Sequence, residues 1–238
     1  MLLHFDTINR QIVLTVITLI FAVVFFDLTG LDIWVQDHFY NVATHHWMID
    51  RDNQVLKFVF YSGIKKLFIL FVLSLVVALA FFRKSEWVKN YKKGLLVVCI
   101  SAAAVTLTIG GLKTHTNVPC PKNIKHFGGT FPYVTILGTY PDHFQQTEKM
   151  ECYPAGHAGG GFALLSLFFL FKRKRNKVIA LVSVMTLGWT IGLYKMLIGD
   201  HFLSHTVVSM ILAWLIVLIV TKVVYKTNKL PALKEPDP

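Results

Sequence analysis

Three short polar segments hold residues that could do acid–base or nucleophilic chemistry. Segment 113–121, KTHTNVPCP, has a lysine and a histidine, and two more lysines follow it. Segment 153–161, YPAGHAGGG, has a tight turn directly before a histidine. Segment 195–205, KMLIGDHFLSH, has two histidines four residues apart, which share one face if the segment is helical. Lysines neutralise anions and histidines transfer protons or attack as nucleophiles, so the set indicates chemistry on an anionic group.

The second segment also opens an apolar stretch. The free N–H groups at a helix start bind anions, so His157 there can donate to a phosphate oxygen or to a leaving oxygen. Taken alone, each segment also fits a structural role as a solvated turn or a plain helix cap. Four other histidines are interpreted as ordinary loop residues: His38, His45, His46 and His143.

The composition indicates that membrane-spanning helices position these segments. Hydrophobic residues make up 54% of the 238 residues and charged residues only 16%, and the mean hydropathy is +0.55. Apolar runs such as Leu67–Phe82 are long enough to cross much of a bilayer, where a helix satisfies its own backbone. The pattern predicts an all-α membrane protein with six transmembrane helices, near residues 11–29, 66–82, 94–112, 158–171, 178–197 and 205–225.

Basic residues set the predicted orientation. The sequences RKSEWVKNYKK and KRKRNK, and the segment after the sixth span, carry clustered lysine and arginine. The positive-inside rule makes these segments and both termini cytoplasmic, which puts 30–65, 113–157 and 198–204 on the outer side. All three polar segments then meet at the periplasmic face of a bacterial-type inner membrane. The net charge of +11 follows from this topology, and we expect no nucleic-acid partner.

Aromatic and acidic residues alternate in the first outer segment, 30–65, which is typical of an interfacial helix lying along the headgroups. We predict one membrane domain over residues 1–228, in which the outer loop 113–157 carries two of the three polar segments. Residues 229–238 are predicted to be a disordered cytoplasmic tail.

The order and spacing of the three segments resemble the type-2 phosphatidic-acid phosphatase superfamily. Its signature reads K-x6-R-P, then P-S-G-H, then S-R-x5-H-x3-D. Lys113 and Pro121 match the first motif, with Cys120 in the position of its arginine. Gly156 and His157 match the second motif.

The third motif is matched less closely. Lys195 stands in the position of the arginine and His201 matches the histidine. Tyr194 replaces the serine and His205 replaces the aspartate. A lysine offers a point charge where arginine offers a fork to two oxygens, so the phosphate clamp differs from the usual one.

The resemblance implies a two-step phosphoryl transfer. His201 would attack phosphorus and form a phosphohistidine, and His157 would protonate the leaving oxygen. His205 would orient His201 in place of the aspartate, unless Asp200 turns inward to do so. Basic groups would neutralise the phosphoryl oxygens, so no metal or other cofactor is expected. The residues expected to bind the substrate are Lys113, Lys195, Lys122, Lys125, Gly156 and Asp200.

Two cysteines flank the outer loop. Cys120 and Cys152 each adjoin a polar segment, while Cys99 lies inside the third span. In an oxidising periplasm we expect the pair to form a disulfide rather than remain unpaired. Closing a loop of this length stabilises by about 3–4 kcal/mol in the chain-entropy model. The bond would hold the backbone after Cys120 against the turn that carries His157.

The resemblance also implies a lipid phosphate as the substrate, taken from the bilayer. The bacterial envelope members of the superfamily favour lipid A, while undecaprenyl diphosphate, phosphatidylglycerol phosphate and phosphatidic acid fit the same outer site. Phosphate transfer to a second lipid instead of water remains open, as does a weakened relative that only binds phosphate.

Two further classes are compatible with the residues. A metal-dependent hydrolase could use His157, His201, His205 and Asp200 as ligands. However, Phe202 stands where such enzymes have a general-base glutamate. A non-catalytic transporter or phospholipid-binding protein is the other class, but the polar groups lie at span ends rather than along the spans.

Overall fold

The computed structural model describes residues 5–227 and confirms an all-α polytopic membrane protein. The predicted tail at 229–238 lies outside the described residues, and the single domain over 1–228 stays a prediction. In the described range the chain forms nine α-helices and one small hairpin. These elements are α1 (Phe5–Leu28), α2 (Leu31–Asp37), β1 (Tyr40–Asn41), β2 (His46–Trp47), α3 (Gln54–Lys57), α4 (Ile64–Phe81), α5 (Glu86–Thr116), α6 (Gly156–Ala163), α7 (Leu167–Leu170), α8 (Lys174–Leu197) and α9 (Leu203–Thr227).

Five helical segments within residues 5–227 are long and apolar enough to cross a membrane. A π-helical turn, Phe58–Gly63, joins α3 and α4 into one of them. The predicted count of six is therefore met by five long segments and one shorter helix. The five segments are Thr7–Leu28, Gln54–Phe81, Glu86–Asn123, Lys174–Leu197 and Leu203–Lys226.

The helix of the second predicted span begins before residue 66. It continues back to Gln54, where Asn53 caps it by accepting from the Leu56 backbone N–H at 3.1 Å. The apolar residues between Gln54 and Lys65 sustain the helix through the lysines, whose long stems carry their charges away from the apolar surface. Residues 54–65 are therefore helical, and their position on the outer side stays a prediction.

The fourth predicted span is the short helix Gly156–Leu170, built from α6, a 3₁₀ turn and α7. It lies at the centre of the bundle, where Ala158 and Phe162 are completely buried among α5, α8 and α9. Gly188 of α8 leaves the space that the Phe162 ring occupies. Because protein surrounds this helix, its polar ends do not face lipid, and it need not span the full hydrocarbon thickness.

The predicted interfacial helix corresponds to α2, which has only seven residues. Trp34 is exposed, whereas Asp32 and Gln36 are buried and face the bundle. The Gln36 amide donates to the Met196 carbonyl at 2.7 Å, and both hydrogen-bonding groups of Ser204 donate to Asp32. These bonds hold α2 against the adjoining ends of α8 and α9. Its position along the headgroups stays a prediction.

Candidate active site

The three polar segments meet at one end of the bundle. α5 carries Lys113 in its last turn, α6 carries His157 in its first turn, and α8 carries Lys195 in its last turn. His201 lies in the short connection that leads from α8 into α9. The C-terminal ends of α5 and α8 and the N-terminal end of the short central helix α6 thus present polar residues to the same space.

Lys113 lies beside the start of α6. A Cβ added to Gly156 would be 3.7 Å from the Lys113 ammonium nitrogen, so the two residues adjoin. Ala155 precedes α6 and provides no side-chain cap. The first-turn N–H groups are therefore available to an anion, next to the Lys113 charge.

His201 and His205 form a buried pair. The two Nδ1 atoms are 3.4 Å apart, and each side chain is at most 5% exposed. One ring must donate and the other accept, so a neutral pair satisfies the contact. His205 also hydrogen-bonds the Cys152 backbone. With Nδ1 of His201 engaged, its Nε2 is the nitrogen left to react.

Burial keeps His201 neutral. It lowers the pKa of His201 well below the ordinary histidine value, and the neighbouring His205 and Lys113 lower it further, while Asp200 acts in the opposite sense. A neutral imidazole retains the lone pair that a nucleophile requires. The surroundings of His201 therefore suit nucleophilic attack near pH 7.

Asp200 is surrounded by cations. Its two oxygens contact the ammonium groups of Lys122 at 2.6 Å and Lys195 at 2.9 Å, and the Arg51 guanidinium lies 3.7 Å away. Burial raises the pKa of Asp200, but Lys195 and Lys122 outweigh it and hold the pKa well below its ordinary range. The carboxylate is thus charged and engaged by lysines. In this structure Asp200 therefore does not turn inward to orient His201.

Gly199 shapes the turn that presents Asp200 and His201. Its φ of +72° favours glycine, and a Cβ there would overlap the Trp47 indole from the hairpin. The Gly199 carbonyl accepts from the Lys122 backbone N–H at 3.0 Å, and the Asp200 N–H donates to the Lys195 carbonyl at 2.8 Å. These backbone hydrogen bonds fix the positions of Lys122, Lys195 and Asp200 relative to one another.

Two residues of the site were not identified from sequence motifs. Arg51 lies in the turn before α3, and Tyr61 lies in the π-helical turn. The Tyr61 ring is 4.5 Å from the Lys195 ammonium and 4.4 Å from the His157 ring. Arg51 is the single arginine in the three predicted outer segments, and this was the signal that could have identified it. No pattern around Tyr61 distinguishes it from other interfacial aromatics.

The predicted substrate-binding lysines separate into two groups. Lys113, Lys122 and Lys195 lie in the site, and Lys195 is only 4% exposed. Lys125 is exposed on the loop surface, next to the His126 that pairs with Asp37 at 2.7 Å. The role of Lys125 as a phosphate contact stays a prediction.

The outer loop is joined to the site by the predicted cysteines. Cys120 and Cys152 form a disulfide with their Cα atoms 5.3 Å apart, across a sequence separation of 32. Beside it, the Cys152 N–H donates to the Val118 carbonyl at 3.3 Å, and the Ala155 N–H donates to the His205 carbonyl at 3.2 Å. The segment that leads to His157 is therefore linked to both α5 and α9.

An apolar cavity of about 530 Å³ begins beside Lys113 and His157 and runs between α4, α5, α6 and α8. Its walls are mainly aliphatic and aromatic. Lys65 lines it as well as Lys113, so its two cations lie near the polar site. The shape can accommodate a hydrocarbon chain whose polar end lies at the histidines. Apolar lining residues include Phe60, Ile64, Phe68, Ile109, Leu164 and Ile191.

The metal-site alternative requires His157, His201, His205 and Asp200 to converge. Within residues 5–227, no group of three or more histidine, cysteine or acidic side chains is placed to hold a metal ion. The four donors that this alternative requires therefore do not converge among the described residues.

Comparison with known proteins agrees with this geometry. The family model described as the PAP2 superfamily matches residues 94–229. The chain is also 24% identical, over 224 residues, to a lipid A 4'-phosphatase of Francisella tularensis subsp. novicida (strain U112). That alignment covers 92% of this chain and 98% of the relative. No solved structure matches the chain significantly. Together the two matches support a lipid phosphatase.

Proposed function

The chain belongs to the PAP2 superfamily, and we propose that it removes phosphate from a lipid phosphate at the periplasmic face of a bacterial inner membrane. One observation carries the proposal. A buried His201 lies near the charges of Lys113 and Lys195, and Lys113 adjoins the uncapped start of α6, where His157 lines the end of an apolar cavity. A phosphorylated lipid has the matching chemistry, with an anionic group at the end of a hydrocarbon body.

In the first step, Nε2 of His201 attacks phosphorus in line with the bond to the lipid oxygen. A P–N bond forms as the P–O bond breaks, and the electron pair goes to the leaving oxygen. His157 must be protonated for this step, and the negative charge of the bound phosphate dianion favours its protonated form. It gives that proton to the leaving oxygen, so the lipid leaves as a neutral alcohol. His205 accepts the Nδ1 hydrogen of His201 and holds the ring in the reactive orientation.

In the second step, water attacks the phosphohistidine. His157, now neutral, takes a proton from the water as the P–N bond breaks, and the electron pair returns to Nε2 of His201. Phosphate leaves and both histidines recover their starting states. A lipid hydroxyl in place of the water would give phosphate transfer by the same steps.

Cationic groups stabilise the charge on the phosphoryl oxygens. Lys113 and the first-turn N–H groups of α6 adjoin the reacting phosphate, and Lys195, Lys122 and Arg51 lie around Asp200. Three cations contact Asp200, and the fourth, Lys113, lies near the charge of Glu151. Four cations against two carboxylates leave a positive surplus for a phosphate dianion. This arrangement replaces the two arginines of the superfamily signature.

The substrate we propose first is the phosphate of lipid A at its 4' position, because the relative that aligns along nearly the whole chain carries that name. The apolar cavity between α4, α5, α6 and α8 would hold part of an acyl chain. Undecaprenyl diphosphate is the second candidate, since it also presents phosphate at the end of a hydrocarbon.

The test is a product assay on purified protein. Each of four lipids (lipid A, undecaprenyl diphosphate, phosphatidylglycerol phosphate and phosphatidic acid) is incubated with the protein, and the products are identified by mass spectrometry. We expect lipid A to lose one phosphate group, and activity to persist in the presence of a metal chelator. His201→Asn and His157→Asn should lose activity, whereas His143→Asn, on the exposed loop, should keep it.

The assay separates the alternatives. Phosphate found on a second lipid would identify a transferase, and loss of activity with the chelator would identify a metal enzyme. Phosphate release that is unchanged in both His201→Asn and His157→Asn would contradict the mechanism. A rapid alkaline, denaturing quench of the working enzyme, in which the P–N bond survives, should trap phosphate on His201 and leave none on His201→Asn.

A further inference from the structure

A basic cleft lies at the end of the bundle opposite His201. The first turns of α5, the junction of α7 and α8, and the end of α9 enclose about 650 Å³ there. Nothing in the proposed phosphatase chemistry uses this cleft, because the long helices separate it from the histidines. Five lysines line it: Lys89, Lys92, Lys93, Lys172 and Lys177.

The cleft carries a surplus of positive charge. Lys89 pairs with Glu86 at 2.8 Å on the surface of α5. In the described part of the chain, no carboxylate forms an ion pair with the other four lysines, and no acidic side chain lines the cleft. Cations gathered in a concave space repel one another, and binding an anion relieves that repulsion.

Aromatic rings hold the lysines in place around the cleft. The ammonium group of Lys93 lies 5.2 Å from the centre of the Tyr225 ring, and that of Lys172 lies 5.0 Å from the centre of the Tyr91 ring. The two contacts connect α5 with α9 and the α7–α8 junction with α5. Because each lysine is stacked on a ring from another element, the charges are arranged by the fold as well as by the loop sequences.

The base of the cleft is apolar. Gly94, Leu96, Phe169 and Leu170 line it below the lysines. A free phosphate ion would leave this apolar base facing water. A phospholipid fits both parts, with its phosphate at the lysines and the start of its acyl chains on the apolar base.

We propose that this cleft binds the phosphate-bearing headgroup of an anionic phospholipid from the leaflet at that end of the bundle. Basic loops are common on the cytoplasmic side of membrane proteins, where they set topology without binding a particular lipid. This cleft differs because lysines from separate elements converge on one concave space and are fixed by aromatic rings.

The test measures lipid retention by the full-length protein in native mass spectrometry. The protein is titrated with phosphatidylglycerol, with phosphatidylcholine of the same chain length, and with inorganic phosphate. The variant Lys92→Gln/Lys93→Gln/Lys172→Gln removes three cleft charges. The matched control Arg83→Gln/Lys84→Gln/Arg175→Gln removes three exposed charges from the same basic loops, outside the cleft.

We expect the cleft variant to bind phosphatidylglycerol at least about tenfold more weakly, and the control to stay within about twofold of the unmodified protein. Inorganic phosphate should fail to displace the lipid at equal concentration. Equal weakening in both variants would show that only total charge matters and would overturn the proposal. Binding of phosphatidylcholine as tight as that of phosphatidylglycerol, or displacement by phosphate alone, would also overturn it.

The outcome is independent of the phosphatase assignment. Release of phosphate from a short-chain lipid phosphate in detergent should be the same for the cleft variant and the unmodified protein. A chain with no phosphatase activity could still bind the lipid in this cleft, and an active one could fail to bind it.

Discussion

His205 stands where the superfamily motif has an aspartate. An aspartate holds the nucleophile through a charged hydrogen bond, whereas the His205 ring can offer only a neutral nitrogen, 3.4 Å from Nδ1 of His201. Neutral hydrogen bonds are weaker and shift more easily than charge-assisted ones. The Cys152 backbone, which also hydrogen-bonds the ring, helps to keep His205 in this position. With histidine in place of aspartate, the orientation of His201 thus depends on the backbone contacts of His205 as well as on the His205 side chain itself.

We predict that His205→Phe lowers kcat by about fivefold, because one neutral hydrogen bond contributes about 1 kcal/mol. KM should change little, since His205 is expected to touch His201 and not the lipid. His205→Asp restores the residue of the motif and should retain more activity than His205→Phe. Steady-state kinetics on the three proteins tests this, and full activity in His205→Phe would remove the positioning role.

The lowered pKa of His201 has a consequence for the pH profile. A nucleophile with a lowered pKa stays neutral in moderately acidic solution, so the acid limb of kcat/KM should lie below pH 6.5. The charge of Lys113 helps to lower this pKa, so Lys113→Met should move the acid limb to higher pH as well as raise KM. An acid limb of kcat/KM above pH 6.5 in the unmodified protein would contradict this account. An acid limb at the same pH in Lys113→Met and the unmodified protein would contradict it as well.

Arg51 is the one arginine near the phosphate site, and it reaches Asp200 from an element outside the three motifs. We predict that Arg51→Gln raises KM by several-fold to about tenfold, the effect of losing one partly exposed charge from the cation cluster. The KM of Arg51→Lys should lie between those of the unmodified protein and Arg51→Gln, because lysine keeps the charge but cannot bind two oxygens at once as a guanidinium can. Lys149→Gln removes a charge from the exposed outer loop and serves as the control. Equal KM values for Arg51→Gln and Lys149→Gln would exclude the contact.

At the scale of elements, α9 depends on α2 for the cap of its first turn. The Ser204 N–H donates to Asp32 at 2.8 Å, and the Ser204 hydroxyl donates to the other carboxylate oxygen. Burial raises the pKa of Asp32 to about 6, although the hydrogen bonds from Ser204 oppose this. A short helix from the outer side thus fixes the start of the helix that carries His205, at the cost of burying a carboxyl group.

This burial predicts a pH dependence of stability. The folded pKa of Asp32 lies above its unfolded value of 3.8, so its favourable contribution is complete below pH 4 and is lost as the pH rises through about 6. The full difference corresponds to about 3 kcal/mol. Asp32→Asn should remove this fall in the thermal midpoint between pH 4 and 7, while Asp142→Asn, an exposed control, should keep it. An identical pH dependence in all three proteins would contradict the prediction.

The long helices could be predicted from the sequence, but the position of the short central helix could not. Hydropathy identified every long helix, because a lipid-facing helix needs a continuous apolar surface that is visible in the sequence. It did not show that the helix of the second span continues before Lys65 to Gln54. It also could not foresee that Gly156–Leu170 lies at the bundle centre, since this depends on packing such as Phe162 against Gly188. Spacing alone likewise gave no indication of Arg51, whose contact with Asp200 arises only in the tertiary structure.

At the scale of the whole molecule, the charge distribution divides the bundle into two ends. The lysine-rich loops and the basic cleft lie at one end, and the histidines lie at the other. The basic loops lie at the N-terminal end of α5, whereas Lys113 lies in its last turn. The orientation inferred from the sequence therefore requires the histidine end to be periplasmic, where lipid A phosphates would be accessible.

Cysteine labelling tests this orientation, and the chain suits it because its one free cysteine, Cys99, is half-buried in α5. In a Cys99→Ala background that keeps the disulfide, Asp142→Cys places a thiol at the histidine end and Lys84→Cys places one at the basic end. A membrane-impermeant maleimide should label Asp142→Cys in intact spheroplasts and leave Lys84→Cys unlabelled until the membrane is opened. The reason is that the membrane potential and the anionic leaflet favour a cytoplasmic position for the basic loops and the cleft lysines. The reverse labelling would put the histidines in the cytoplasm and exclude a periplasmic substrate, while labelling of both thiols in sealed cells would contradict a single orientation.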